Sequence, residues 1–208
     1  MYRYLALGDS YTIGEGVAEG DRWPVQLARG LREQGITLAD PRIIAKTGWT
    51  TDELDAAIDA AQPLGEYDLV SLLIGVNNQY RGRDVENYRQ DFAALLERAI
   101  GFAGGNEDRV LVLSIPDWGA TRFGGEQAAA KSGRDLAKVS RELDACNAAA
   151  KAICNARGVA FVDITPVSRE RGGQASMAAD DGLHPSAAMY AAWTQQALPV
   201  ARQLLSAP

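Results

Sequence analysis

Five short apolar runs, separated by longer stretches of helical periodicity, constrain this chain more than any other feature. The runs are Leu5–Leu7, Pro41–Ala45, Leu69–Ile74, Val110–Ile115 and Val159–Val162. Each is too short for a buried helix, and the third is apolar at nearly every position, as a strand covered on both faces must be. Between them the apolar residues recur every three or four positions. Val85, Tyr88, Phe92, Leu95 and Ala99 form one such face, and Leu136, Val139, Leu143, Cys146, Ala150 and Ile153 another. A shorter helix is expected around Trp23 to Glu33, with Pro24 in its first turn. Thr51 and Ser186 are placed to cap two further helices, and Pro199 is expected to kink or restart the last one. Strands alternating with helices at this spacing build right-handed βαβ units, hence a parallel sheet with helices on both faces.

The expectation is therefore one α/β domain over residues 1–208, a three-layer α/β/α sandwich on a five-stranded parallel sheet. Five strands suggest the flavodoxin-like order rather than the six-stranded dinucleotide fold. Charge narrows the partners. With 27 acidic residues against 21 basic ones, net charge −6, and no run of Lys or Arg, nothing here would reward nucleic acid or an anionic membrane. No apolar stretch approaches the roughly 20 residues of a membrane span, and the start Met1-Tyr2-Arg3-Tyr4 lacks a leader's basic and apolar regions. A cytoplasmic location is the corresponding expectation. Cys146 and Cys154 are eight residues apart on one expected helix, about 12 Å along its axis, too far for a disulfide. They read as small buried hydrophobes, and no metal site is expected. Gly14-x-Gly16 with Gly20 has the wrong spacing and position for a dinucleotide fingerprint, and no P-loop motif occurs.

Histidine is the sharper clue. The chain has one, His184, and Asp181 lies three residues before it. On one turn, that carboxylate can hold imidazole Nδ1 and leave Nε2 free as a base. Asp180 and Asp163 are alternatives for the acid. A base of this kind serves a nucleophile that is weak at neutral pH, and Ser10 follows the first strand. Acyl transfer also needs donors for a developing oxyanion. The Ser10 N–H, the Gly48 N–H after the second strand and the Asn77 amide after the third are candidates. All lie past the carboxyl ends of parallel strands, the rim where such sheets bind ligands.

Gly8-Asp9-Ser10, Gly48, Gly75-Val76-Asn77 and Asp181-Gly182-Leu183-His184-Pro185 together resemble the four sequence blocks of the SGNH (GDSL-type) hydrolases, in that family's order and spacing. The resemblance implies a flavodoxin-like α/β/α fold, no cofactor, and hydrolysis of carboxylic esters, short-chain acyl esters first among them. It implies Ser10 as nucleophile, His184 as base, Asp181 as the orienting acid, and Ser10, Gly48 and Asn77 as oxyanion hole. A thioesterase, carbohydrate deacetylase, lysophospholipase or acyltransferase could use the same site, and a non-catalytic binding module could keep the same fold. Two positions depart from the family's usual pattern: Asn78 stands where Asp is common, and Tyr11 where Leu is frequent. Trp49, Asn78, Tyr80, Trp118 and Phe123 follow strand ends and are the expected pocket residues for a small ester.

Overall fold

The computed structural model describes residues 1–130 and 133–206. Its strands are β1 (Tyr4–Gly8), β2 (Arg42–Ala45), β3 (Leu69–Leu73), β4 (Val110–Leu113) and β5 (Ala160–Val162). All pair in parallel, in the order β2-β1-β3-β4-β5. This is the doubly wound α/β/α architecture with flavodoxin-like order, and it has a topological switch point between β1 and β3. Every residue of β1, β3 and β4 is buried, which explains their nearly continuous apolar sequences.

Nine α-helices surround the sheet among the described residues: α1 (Ser10–Ile13), α2 (Trp23–Glu33), α3 (Thr51–Ala60), α4 (Val76–Tyr80), α5 (Val85–Phe102), α6 (Arg122–Ala129), α7 (Leu136–Arg157), α8 (Thr165–Arg171) and α9 (Ala187–Ser206). One layer holds α2 against α9, and the other holds α5 against α3 and α7. The fully buried Trp23 and Leu31 of α2, and Tyr190 and Trp193 of α9, supply large apolar area to the first layer. Cys146 and Cys154 are free and buried on α7, where burial pushes their thiols up to about 11 and about 12. Among the described residues no helix is long and apolar enough to cross a membrane.

Two local expectations change. Thr50, not Thr51, is the N-cap of α3, and its N–H donates to Glu53 Oε2 (2.9 Å), as in a capping box. The Thr51 hydroxyl is engaged elsewhere, donating to Asp91 Oδ2 (2.7 Å). Helix α9 runs through Pro199 without restarting. The lost hydrogen bond costs about 3 kcal/mol in a helix interior. Buried residues on both sides of the proline, Tyr190, Trp193 and Ala197 before it, Ala201 and Leu205 after it, hold the two halves on the same core.

Candidate active site

Because all five strands run the same way, their carboxyl ends share one rim, and the loops that leave this rim carry the singled-out residues. Gly8 ends β1 between Ala45 of β2 and Leu73 of β3. A Cβ at Gly8 would lie 2.2 Å from Thr12 Oγ1 and 2.5 Å from the Leu73 carbonyl, so only glycine lets the chain turn here. Asp9 caps the short helix α1, its Oδ1 accepting the Tyr11 N–H (3.0 Å), and Ser10 opens that helix. The Asp9 side chain is fully buried, and its Oδ2 has no hydrogen-bond partner among the described residues. Burial pushes its carboxyl up to about 7, against the downward pull of the backbone amides of Tyr11, Asp9 and Gly75.

After β3 the chain turns at Gly75, whose φ is 129° and whose Cβ would lie 2.4 Å from the Tyr88 ring. Both facts require glycine. The turn sets Asn77 on the first turn of α4, where its Nδ2 donates to the Trp49 carbonyl (2.9 Å). That bond ties the loop after β3 to the loop after β2 and uses one of the two amide N–H donors. Gly48 sits in the latter loop in a left-handed turn (φ 88°), and its carbonyl accepts from Arg81 Nη2 (2.6 Å).

On the loop before α9, Asp181 Oδ1 accepts the N–H groups of Leu183 and His184 (2.9 Å each), and Oδ2 faces His184 Nδ1 at 2.5 Å. Partial burial pushes the Asp181 carboxyl up, but the imidazole bond and the two amide bonds outweigh it and hold the group below its usual value. The loop is itself pinned. Ala179 donates to the His184 carbonyl (2.7 Å), Ser186 to the Met177 carbonyl (3.0 Å), and Phe123 to the Gly182 carbonyl (3.1 Å). The Ser186 hydroxyl accepts from Met189 N–H (3.3 Å), capping α9 two residues after the histidine. Of the three candidate acids, only Asp181 is placed on the imidazole. Asp180 offers its carbonyl to Arg122 (3.1 Å), and Asp163 accepts from Ser114 Oγ (2.9 Å) and Thr165 N–H (3.2 Å).

Ser10, Gly48, Asn77 and His184 line one cavity of about 230 Å³, together with Tyr11, Thr47, Val76, Tyr80, Trp118, Phe123 and Leu183. It opens beside the switch point between β1 and β3, as ligand sites in open α/β sheets do. Its lining is mainly apolar with a few convergent polar groups, the pattern of a small-molecule site. Tyr80, Trp118 and Phe123 form an aromatic wall, with ring centroids 5.4 Å apart for the first pair and 6.1 Å for the second. The Trp118 indole donates to Gln79 Oε1 (2.9 Å), and Gln79 donates to Glu142 Oε2 (2.8 Å), so the wall is anchored from behind.

Two of the expected pocket residues lie outside this lining. Trp49 contributes its carbonyl to Asn77, while its side chain packs against the core. Asn78 is buried and bonded twice to Thr51, accepting from its N–H (3.1 Å) and donating to its Oγ1 (2.7 Å). Because the Thr51 hydroxyl donates to Asp91, it must accept from position 78, and an amide can donate where a carboxylate cannot. The negative charge thus sits on Asp91 rather than at position 78. Sequence reasoning missed Tyr11, Thr47, Val76 and Leu183 as lining residues. All four are chain neighbours of Ser10, Gly48, Asn77 or His184, which was the available signal. Among the described residues no three His, Cys, Asp or Glu side chains converge as a metal site.

Comparison with known proteins identifies structures of the same fold and a family for the sequence. Solved structures of similar fold include TesA (20% identity, TM-score 0.73, covering 97% of this chain and 99% of that one). Another is the psychrotrophic esterase EstA from Pseudoalteromonas sp., a structure inhibited by monoethylphosphonate (15%, 0.71, all of both chains). A third is the W215I form of Axe2, an acetyl xylan esterase from Geobacillus stearothermophilus (18%, 0.70, 96% and 94%). At such identities the likeness is one of fold. A search of curated protein sequences finds no match. The sequence model of the GDSL-like lipase/acylhydrolase family matches residues 6–192, nearly the whole chain, and the protein is a member of that family.

Proposed function

We propose that the protein is a serine esterase that hydrolyses small carboxylic esters. The observation that carries this reading is the Asp181–His184 pair, fixed by three hydrogen bonds on a pinned loop and opening into the cavity that Ser10, Gly48 and Asn77 also line. Asp181 bound at Nδ1 selects the tautomer in which Nε2 is unprotonated and can take the Ser10 proton. Ser10 Oγ then attacks the acyl carbon, and the carbonyl oxygen, now negative, is held by the Ser10 and Gly48 N–H groups and the second N–H of Asn77. The imidazolium returns the proton to the departing alkoxide. Water repeats the cycle on the acyl-enzyme, releasing the acid and restoring Ser10.

The aromatic and aliphatic lining, with no carboxylate or ammonium among the described cavity residues, favours an uncharged ester of small size. Its cofactor-independent chemistry needs only these side chains. A fluorophosphonate probe tests the reading directly. Mass spectrometry is expected to find the label on Ser10, and folded protein that stays unlabelled would sink it.

A further inference from the structure

Behind the cavity lies a second, smaller one of about 20 Å³, room for about one water molecule. Three residues, Tyr11, Trp118 and Leu183, line both, and they are the partition between them. The far side of the small cavity is formed mainly by Pro116, Met177, Pro185, Met189 and Trp193. Apart from the Tyr11 hydroxyl, which has no hydrogen bond among the described residues, its polar side chains are mostly committed. Asp117 accepts from Ser140, Arg169 and Gly119, Ser168 bonds the Asp117 N–H and the Thr165 carbonyl, and Thr121 donates to the Trp118 carbonyl. The Trp193 indole N–H is fully buried with no partner among the described residues, a single donor. Such a space offers a polar ligand almost nothing, whereas an aliphatic chain would only shed water there. Two methionines in its wall can repack around such a chain.

The three partition residues are not held equally. Trp118 is anchored by Gln79 and flanked by Tyr80 and Phe123. Tyr11 rests edge-on against Trp193 (5.8 Å between centroids) and beside His184 (6.1 Å). Leu183 is only half-buried. Tyr11 stands in the residue next to Ser10, so its ring meets whatever extends inward from the reacting carbon.

We infer that the small cavity is the distal section of the substrate pocket, closed in this chain by Tyr11 and Leu183 against Trp118, and that this partition sets the longest aliphatic chain the enzyme accepts. The inference rests on the esterase reading. The chain is the acyl or the alcohol portion of the ester, and two substrate series distinguish them: p-nitrophenyl esters from acetate to octanoate, and acetates of ethanol to octanol.

For the parent, kcat/KM is expected to fall steeply with length in one series. In Tyr11→Leu the long-to-short ratio of kcat/KM in that series should rise at least about tenfold, the worth of roughly two newly buried methylenes. Leu183→Ala should move it the same way. Should Tyr11→Leu fail to fold, by circular dichroism and melting, Leu183→Ala decides alone. A ratio unchanged within about twofold in both series for the folded variants overturns the partition, as does a parent with no length dependence in either. Absence of all ester turnover together with an unlabelled Ser10 defeats the esterase reading instead, so the two failures are distinct.

Discussion

Two aspartates stand beside the two side chains proposed to react, Asp9 before Ser10 and Asp181 three residues before His184, and the fold treats them in opposite ways. Asp181 is partly exposed, and both its oxygens are engaged, one by two backbone N–H groups and one by the imidazole. It is held below the usual carboxylate value. Asp9 is sealed beneath α1 with one oxygen unpartnered among the described residues, and burial pushes it up to about 7. The first is built to stay ionised and orient a ring. The second shapes the turn that presents Ser10 and bears an ionisation cost in doing so. Their contributions to stability therefore lean in opposite directions with pH. Asp181 binds its proton more weakly folded than unfolded, so the stability it provides is present above its ordinary value and is lost as pH falls below it. Asp9 binds its proton more tightly when folded. Its contribution is most favourable below its ordinary value of 3.8 and is progressively lost as pH rises towards and through about 7.

The largest expected effects test whether the residues these aspartates serve react at all. Ser10→Ala and His184→Ala each lower kcat by roughly 10⁴ to 10⁶, and near-parental ester turnover by either would remove the basis of the contrast. Asp181→Asn keeps the side chain's shape but releases the tautomer, and kcat is expected to drop by about 10³ to 10⁴. Asn77→Ala removes one proposed oxyanion donor and is expected to cost about 10² to 10³ in steady-state kcat. Asp9→Asn is expected to cost less than about tenfold in kcat, since the amide oxygen still accepts the Tyr11 N–H. A loss as large as that of Asp181→Asn would erase the difference in role.

The smallest effect is also the most discriminating. By calorimetry, Asp9→Asn should melt at least about 3 °C above the parent near pH 8.5, with the gap closing towards pH 5. A gap that is constant with pH would show that Asp9 does not titrate in the folded state. The acid-side fall of kcat/KM should persist in this variant if His184 is the base, and its disappearance would assign the fall to Asp9.

Much of the architecture was legible because its signals are local. Apolar runs such as Leu69–Ile74 mark strands buried on both faces, and the α5 and α7 stripes mark helices. Asp181 and His184 could be paired from sequence because one turn brings i and i+3 together, and the structure places Oδ2 and Nδ1 2.5 Å apart. Where the outcome depended on contacts between distant segments, the residues alone were a poorer guide. Thr51 looked like a cap, but its hydroxyl is taken by Asp91, forty positions away, which leaves the role to Thr50. Asn78 looked like a pocket residue because it follows the end of β3, yet helical geometry turns it back onto Thr51. Pro199 carries a strong local signal to restart the helix, yet α9 continues past it on a shared core. The partition at Tyr11 and Leu183 needed the fold, because it joins residues near opposite ends of the chain.

That separation along the chain has a consequence for synthesis. Ser10, Gly48 and Asn77 are translated early, whereas Asp181 and His184 come after the last strand and are held through α9 against α2 and the sheet. Domains emerge amino end first, at about 5–20 residues per second. On the proposed mechanism, a nascent chain that has completed β4 holds the serine and its proposed oxyanion donors but not the proposed base, so Ser10 would be inert towards esters. Chemical competence arrives only when the final helix docks, so on this reading the order of translation acts as a built-in safety catch.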